Sequence, residues 1–235
     1  MTWASILRPV TVLSALGVIG AGATGLSLAT SPHLTVSYAA ASSLQSAVQR
    51  TLGASSFTVD EVQVYSGSST ASGQVTGSAS GISESLHADY QAPDRLAVDI
   101  SANGSPATPG LIAIGPRLYA ELRSSGRYEV LNQPVSTDAF VALRQEAMSS
   151  LYLLQSVTRG VVRDGTRFSF IKSMEAGVPG STAALSGVAK GTVVVLGGYV
   201  STVSVVLSVH SAKFRTVSMS ARFSRIGSSV PVRLP

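Results

Sequence analysis

Apolar and polar residues alternate one by one through the last third of the chain. Val203, Val205, Leu207 and Val209 stand against Thr202, Ser204 and Ser208, and Val217, Met219, Ala221 and Phe223 against Thr216, Ser218, Ser220 and Arg222. A period of two is that of a strand with one buried face, because successive side chains leave a strand on opposite sides. Gly197-Gly198 and His210-Ser-Ala-Lys213 fall between the runs and supply turns. The pattern predicts an antiparallel meander at the end of the chain, against which everything upstream must pack. In Thr192–Leu196, Val193 and Val195 oppose Val194 and Leu196, so this strand carries apolar surface on both faces.

The middle of the chain has a different period. Phe140, Leu143, Ala147, Leu151 and Leu154 recur at three-and-four spacing, which predicts one helix from Ser136 to about Val157 with a wide buried stripe. Ser136-Thr137-Asp138 offers capping oxygens to its free N–H groups. Val141, Met148, Tyr152 and Leu153 broaden the apolar surface beyond an ordinary stripe. A second helix is expected over Ala40–Leu52, with Leu44 and Val48 on one face and Gly53 as its stop. Strands are expected at Phe57–Tyr65, Leu86–Gln91, Arg95–Ser101, Leu111–Ile114, Arg117–Arg123, Tyr128–Leu131, Arg159–Arg163 and Arg167–Lys172. The Ser- and Gly-rich stretch from Ser66 to Ser85 is a loose hairpin or a weak edge pair, and Met174–Ala184 is a loop. The order runs helix, strands, helix, strands without βαβ alternation, which is the signature of an α+β antiparallel domain.

The N-terminus changes the domain picture. One Arg in Met1–Arg8, an uncharged run from Val10 to Ala29 and small residues at Ala39-Ala-Ala41 make a secretory signal, cleaved after Ala39 or Ala41. The same run is long enough to stay uncleaved as a membrane anchor. The expected division is a signal or anchor over 1–41 and one domain over 42–235. Gly20-Ala-Gly22-Ala-Thr-Gly25 fits a dinucleotide-binding spacing by chance. Pro32 interrupts its would-be helix, and the first acid in the chain, Asp60, comes too late to hold a ribose.

Composition then narrows the chemistry. The chain of 235 residues has no Cys, so disulfides, thiolate metal sites and thiol nucleophiles are excluded. Its formal net charge is +5, and no acid follows Glu175 while Lys190, Lys213, Arg215, Arg222, Arg225 and Arg233 do. Such residues discourage pairing at sheet edges, or draw the domain to an anionic membrane surface. Nucleic acid is not expected, because the basic residues are not interleaved with aromatics. His33, His87 and His210 are scattered and no metal-binding spacing exists, so neither a metal nor a cofactor is expected. Gly77-Ser-Ala-Ser-Gly81 has Ala79 in the nucleophile position. Asp60 and Glu61 are adjacent on a strand and must face opposite ways. Asp89, Asp94 and Asp99 read as solvated carboxylates. No catalytic residue is assigned, and the protein is read as a non-enzyme.

Tyr90-Gln-Ala-Pro-Asp-Arg-Leu96 enters a strand, Ile114-Gly-Pro-Arg-Leu-Tyr119 follows, and Phe223-Ser-Arg-Ile-Gly-Ser-Ser-Val230 closes the chain. These motifs, with the mid-chain helix between them, resemble the periplasmic lipoprotein-carrier superfamily (LolA/LolB-like) over residues 40–235. The resemblance is nearest to its actinobacterial LppX/LprG-like lipid-binding branch, whose lipobox Cys is missing here. It implies a strongly curved antiparallel β half-barrel with helices across its concave face and an apolar cavity for acyl chains. The expected ligand is a lipid or acylated molecule, carried by an exported monomer. The lining expected from the strand and helix patterns is Phe140, Leu143, Met148, Leu151, Val203, Val205, Leu207, Val217, Met219 and Phe223, with polar groups only at the mouth. The alternative is an extracytoplasmic sensor or cell-surface interaction module on the same scaffold.

Overall fold

The computed structural model describes residues 32–67, 82–106, 110–122, 127–130, 137–177, 184–209 and 216–232. Its twelve strands form a single antiparallel sheet. They are β1 (Ser56–Ser66), β2 (Ile82–Gln91), β3 (Arg95–Ala102), β4 (Ser105–Pro106), β5 (Leu111–Ile114), β6 (Arg117–Leu122), β7 (Arg127–Val130), β8 (Val161–Asp164), β9 (Arg167–Gly177), β10 (Ala184–Leu196), β11 (Tyr199–Val209) and β12 (Thr216–Ser224). The spatial order is β7-β6-β5-β3-β2-β1-β12-β11-β10-β9-β8, with the short β4 beside β3. The first strand therefore pairs with the last, and two meanders join at β1–β12. Among the described residues the edges β7 and β8 do not pair, so the sheet is an open half-barrel.

The alternation read in the sequence sets the inner face. Val203 pairs with Ala221, Val205 with Met219 and Leu207 with Val217, and in the next ladder Val59 pairs with Phe223. All are buried, whereas Ser204, Ser208, Ser220 and Arg222 are exposed. Close cross-strand contact between such side chains stabilises the register, since a slip by one residue would turn the whole set outward.

Among the described residues three helices cover the concave face: α1 (Pro32–Leu52), α2 (Thr137–Ala147) and α3 (Ser149–Gln155). Helix α1 lies against β8 and β11 and touches α3, while α2 lies over β2 and β3. Thr51 ties α1 to the sheet: its hydroxyl donates to Ala47 O at 2.8 Å and accepts from Val200 N at 2.9 Å. Gln45 ties α1 to the end of α3, its side-chain amide donating to Leu154 O and Val157 O at 2.9 Å each. Leu154 O, in the last turn of α3, also accepts from Val157 N at 3.0 Å, and Val157 O lies just past the helix end, where carbonyls lack helical donors.

The expected single mid-chain helix is two. The break falls at Met148, whose backbone leaves the helical region at φ −112° and ψ 14°. Ser149 and Ser150 follow, residues whose hydroxyls compete with helical hydrogen bonding. Helix α1 starts at Pro32 and runs unbroken across the boundary expected at 41. Ala40 and Ala41 pack in the core. Strand β2 begins at Ile82, β9 continues to Gly177 and β10 starts at Ala184, so Met174–Gly177 and Ala184 of the expected Met174–Ala184 loop are paired strand, and 178–183 lie outside the described residues. These extensions have weak patterns of their own and are each set by pairing with one neighbouring strand, β1 for Ile82–Ser83 and the β9–β10 ladder for the other two. The Val10–Ala29 run, the His210–Lys213 turn and 68–81 within the Ser66–Ser85 stretch lie outside the described residues. No helix among the described residues is long and apolar enough to cross a membrane.

Candidate ligand-binding interior

The side chains expected to line a cavity come together between the helices and the sheet. Leu143, Met148 and Leu151 reach down from α2, the break and α3; Val203, Val205, Leu207, Val217, Met219 and Phe223 rise from the floor. All of these are buried, and the half-buried Phe140 packs against the same cluster. Leu151 and Met148 have no exposed surface, so neighbouring side chains enclose them completely in this closed arrangement. Phe57 extends the floor, its ring 5.9 Å from that of Phe223 and 5.0 Å from that of Tyr90.

The interior is not wholly apolar, contrary to the expectation that polar groups would stay at a mouth. On β1 the inward parity that starts at Phe57 and Val59 continues through Glu61, Gln63 and Tyr65, and all are buried. Glu84 on β2 faces Gln63 across the ladder and is 6% exposed. The Tyr65 hydroxyl donates to Gln63 Oε1 at 3.0 Å, and Gln63 Nε2 donates to Glu61 Oε1 at 2.9 Å. Ser149, just past the helix break, donates to the same Glu61 oxygen at 2.8 Å. The second oxygens of Glu61 and Glu84 find no hydrogen-bond partner among the described residues. Glu146 on α2 is buried as well.

Burial dominates the electrostatics of this cluster. It raises the Glu61 carboxyl above its ordinary 4.5, with the hydrogen bonds from Gln63 and Ser149 and the approach of the Ser150 side chain and backbone acting in the opposite direction. Burial also raises Glu84. The Tyr65 hydroxyl is pushed up first by burial and then by the charges of Glu84, Glu146 and Glu61. A protonated carboxyl is both donor and acceptor, so the cluster can hold a proton or a polar ligand group that bare hydrocarbon could not. The sequence signal for it is the parity of Glu61, Gln63 and Tyr65 with Phe57 and Val59, which the opposite facing of Asp60 and Glu61 does not by itself reveal. That pair does split as the alternation requires. Asp60 is on the outer face, its Oδ1 2.6 Å from His87 Nδ1, and Glu61 is inside. Asp89, expected to be solvated, is half-buried and accepts from Thr58 Oγ1 at 2.5 Å. Among the described residues no group of three His, Asp or Glu could hold a metal.

Open sheet, helical cover and enclosed, mainly apolar interior define an α+β half-barrel. No family model and no curated protein matches the sequence. Among solved structures the chain is similar to LprF from Mycobacterium bovis, at 13% identity over 83% of this chain and 96% of that one, with a TM-score of 0.49. It is also similar to the Mycobacterium tuberculosis lipoprotein LppX (14% identity, 83% and 98% covered, TM-score 0.44). A third likeness is to a LolA superfamily protein from Nitrosomonas europaea (9% identity, 83% and 96% covered, TM-score 0.31). Likenesses this distant assign no ligand to this chain.

Proposed function

We propose that this protein is an exported, non-catalytic carrier that holds the acyl chain of a lipid or acylated molecule between its helical cover and the inner face of its sheet. The observation that carries this reading is the composition of that contact. Aliphatic side chains from α2 and α3 meet an aliphatic floor, so an acyl chain parting the two layers exchanges one apolar contact for another. The same contact buries Glu61 and Glu84, each with an unpartnered oxygen. Such groups lose several kcal/mol of hydration in an apolar setting, on the order of 2–7 for an unpaired polar group. They weaken the closed state relative to an all-apolar core and favour a cover that lifts.

In this reading Phe140, Leu143, Met148 and Leu151 grip the chain from above, and Val203, Val205, Leu207, Val217, Met219 and Phe223 from below. The segment before the domain acts in export, as cleaved signal or retained anchor. The test is organic extraction of protein purified without detergent, followed by mass spectrometry. A stoichiometric acylated species is expected; lipid-free protein that takes up no added lipid would overturn the proposal.

A further inference from the structure

A second concavity, separate from the interior, opens where the C-terminal half of α1 meets the β8–β9 hairpin and the β10–β11 turn. It has a volume of about 450 Å³, and its lining includes Arg50, Ser46, Arg163, Phe168, Val195 and Gly198. Two guanidiniums from separate elements converge on it, and no acid lines it. Nor does α1, β10 or β11 contain an acidic residue; Asp164 beside Arg163 is the nearest in sequence. Among the described residues neither Arg50 nor Arg163 forms an ion pair.

Arg163 is held in place by its neighbours, and Arg50 packs beside a glycine turn. Arg163 donates through Nε to Gly165 O at 2.9 Å, and its guanidinium carbon sits 5.3 Å from the Phe168 ring centroid. Those contacts fix the guanidinium and leave its two Nη groups without a hydrogen-bond partner among the described residues. Arg50 lies across the tight Gly197-Gly198 turn. At Gly198, φ is +84° and a Cβ would come within 2.4 Å of Arg50 Nη1. Glycine there serves the turn and leaves room for the arginine. The hydroxyls of Ser43 and Ser46 already donate to carbonyls of their own helix, so the two guanidiniums, with the Thr166 hydroxyl beside them, are the side-chain donors left to meet a ligand.

We infer that this concavity binds a phosphate-bearing ligand, the two guanidiniums taking its oxygens. Planar guanidinium forks match phosphate geometry, and charge-assisted hydrogen bonds are roughly twice as strong as neutral ones. The phosphate belongs either to a soluble phosphate ester or to a phospholipid headgroup. Only the second source rests on the carrier reading.

The test uses the full chain and its Arg50→Gln, Arg163→Gln and doubly substituted forms, with Lys190→Gln as a charge control. Lys190 is exposed and lies outside the concavity. Calorimetric titration with inorganic phosphate should show binding to the wild type and Lys190→Gln, and at least a tenfold weaker constant for the double variant. Gly198→Ala, which displaces Arg50, should weaken binding too. Thermal melts check that the variants remain folded. Sedimentation with phosphatidylcholine vesicles, with and without phosphatidylglycerol, separates the sources. Capture by the anionic vesicles alone, lost in the double variant, assigns a headgroup, and phosphate binding without vesicle capture assigns a soluble ester. No phosphate binding by the wild type, or equal losses in Lys190→Gln and the double variant, would overturn the inference. Fatty-acid uptake measured on the same proteins keeps the two proposals apart, because the double variant should retain it.

Discussion

Glu61 places a carboxyl on the inner face of the sheet, among aliphatic side chains. It occupies an inward position of β1 between Val59 and Gln63, is 2% exposed, and lacks a partner for one carboxyl oxygen. Its pKa in the folded chain is raised, so between about the ordinary carboxylate range and that raised value the native state holds a proton the unfolded chain has released. Its contribution to stability is therefore least unfavourable in acid and worsens as pH climbs through that window. Glu61→Gln keeps an acceptor for Gln63 and Ser149 but cannot ionise. It should raise the melting temperature at pH 7 and change it little at pH 4. Equal shifts at both pH values would mean that Glu61 is not protonated by burial.

Gly191 makes a residue-scale prediction of a different kind. It pairs with Phe170 across β9–β10, and a Cβ there would stand 2.2 Å from the Phe170 ring. Because Phe170 is buried, Gly191→Ala should cost about 1–3 kcal/mol by overpacking, and Phe170→Leu in the same chain should recover part of it. Urea denaturation of the single and double variants measures both terms. The sequence showed Gly191 only as a glycine at the head of a strand; the ring that needs its bare backbone lies twenty-odd positions upstream on another strand and was invisible.

At the scale of elements, local pattern was legible wherever one face is buried and the other wet. The β1, β3, β11 and β12 alternations and the Leu143–Leu151–Leu154 stripe are of this kind. Pattern failed where neighbours decide. Ala184 to Val188 is extended because it pairs along its whole length with β9, joined by β11 from Gly187 on, and the helix breaks at Met148 although the apolar stripe runs straight through. The break lets Ser149 reach Glu61 while Met148 and Leu151 both remain fully buried. Leu151→Ala should cost about 2–5 kcal/mol, the range for large-to-small changes in a packed core. A loss under about 0.5 kcal/mol in chemical denaturation would contradict the placement of α3 against the sheet, since surface changes stay within that range.

At the scale of the whole molecule, an α+β antiparallel class followed from the order of periods alone. The half-barrel did not, because the pairing of β1 with β12 joins residues some 160 apart in sequence. No local signal reports such a contact. The candidate interior was legible as a list of apolar positions, since parity and helical spacing determine which side chains face inward. Whether those positions enclose a ligand or only one another depends on how easily the cover lifts.

The most direct measurement of that is uptake of a fluorescent fatty acid by the wild type and by Ala221→Phe, with thermal stability recorded alongside. Ala221 is buried on the inner face, opposite Glu61 on one side and Val203 on the other. A phenyl ring there fills the space an acyl chain would take. The carrier account expects saturable uptake by the wild type, and loss of most of it in Ala221→Phe with the melting temperature nearly unchanged, as the cover shifts to admit the ring. No uptake by the wild type, together with a large fall in the variant's melting temperature, would contradict it and leave the interior a solid core.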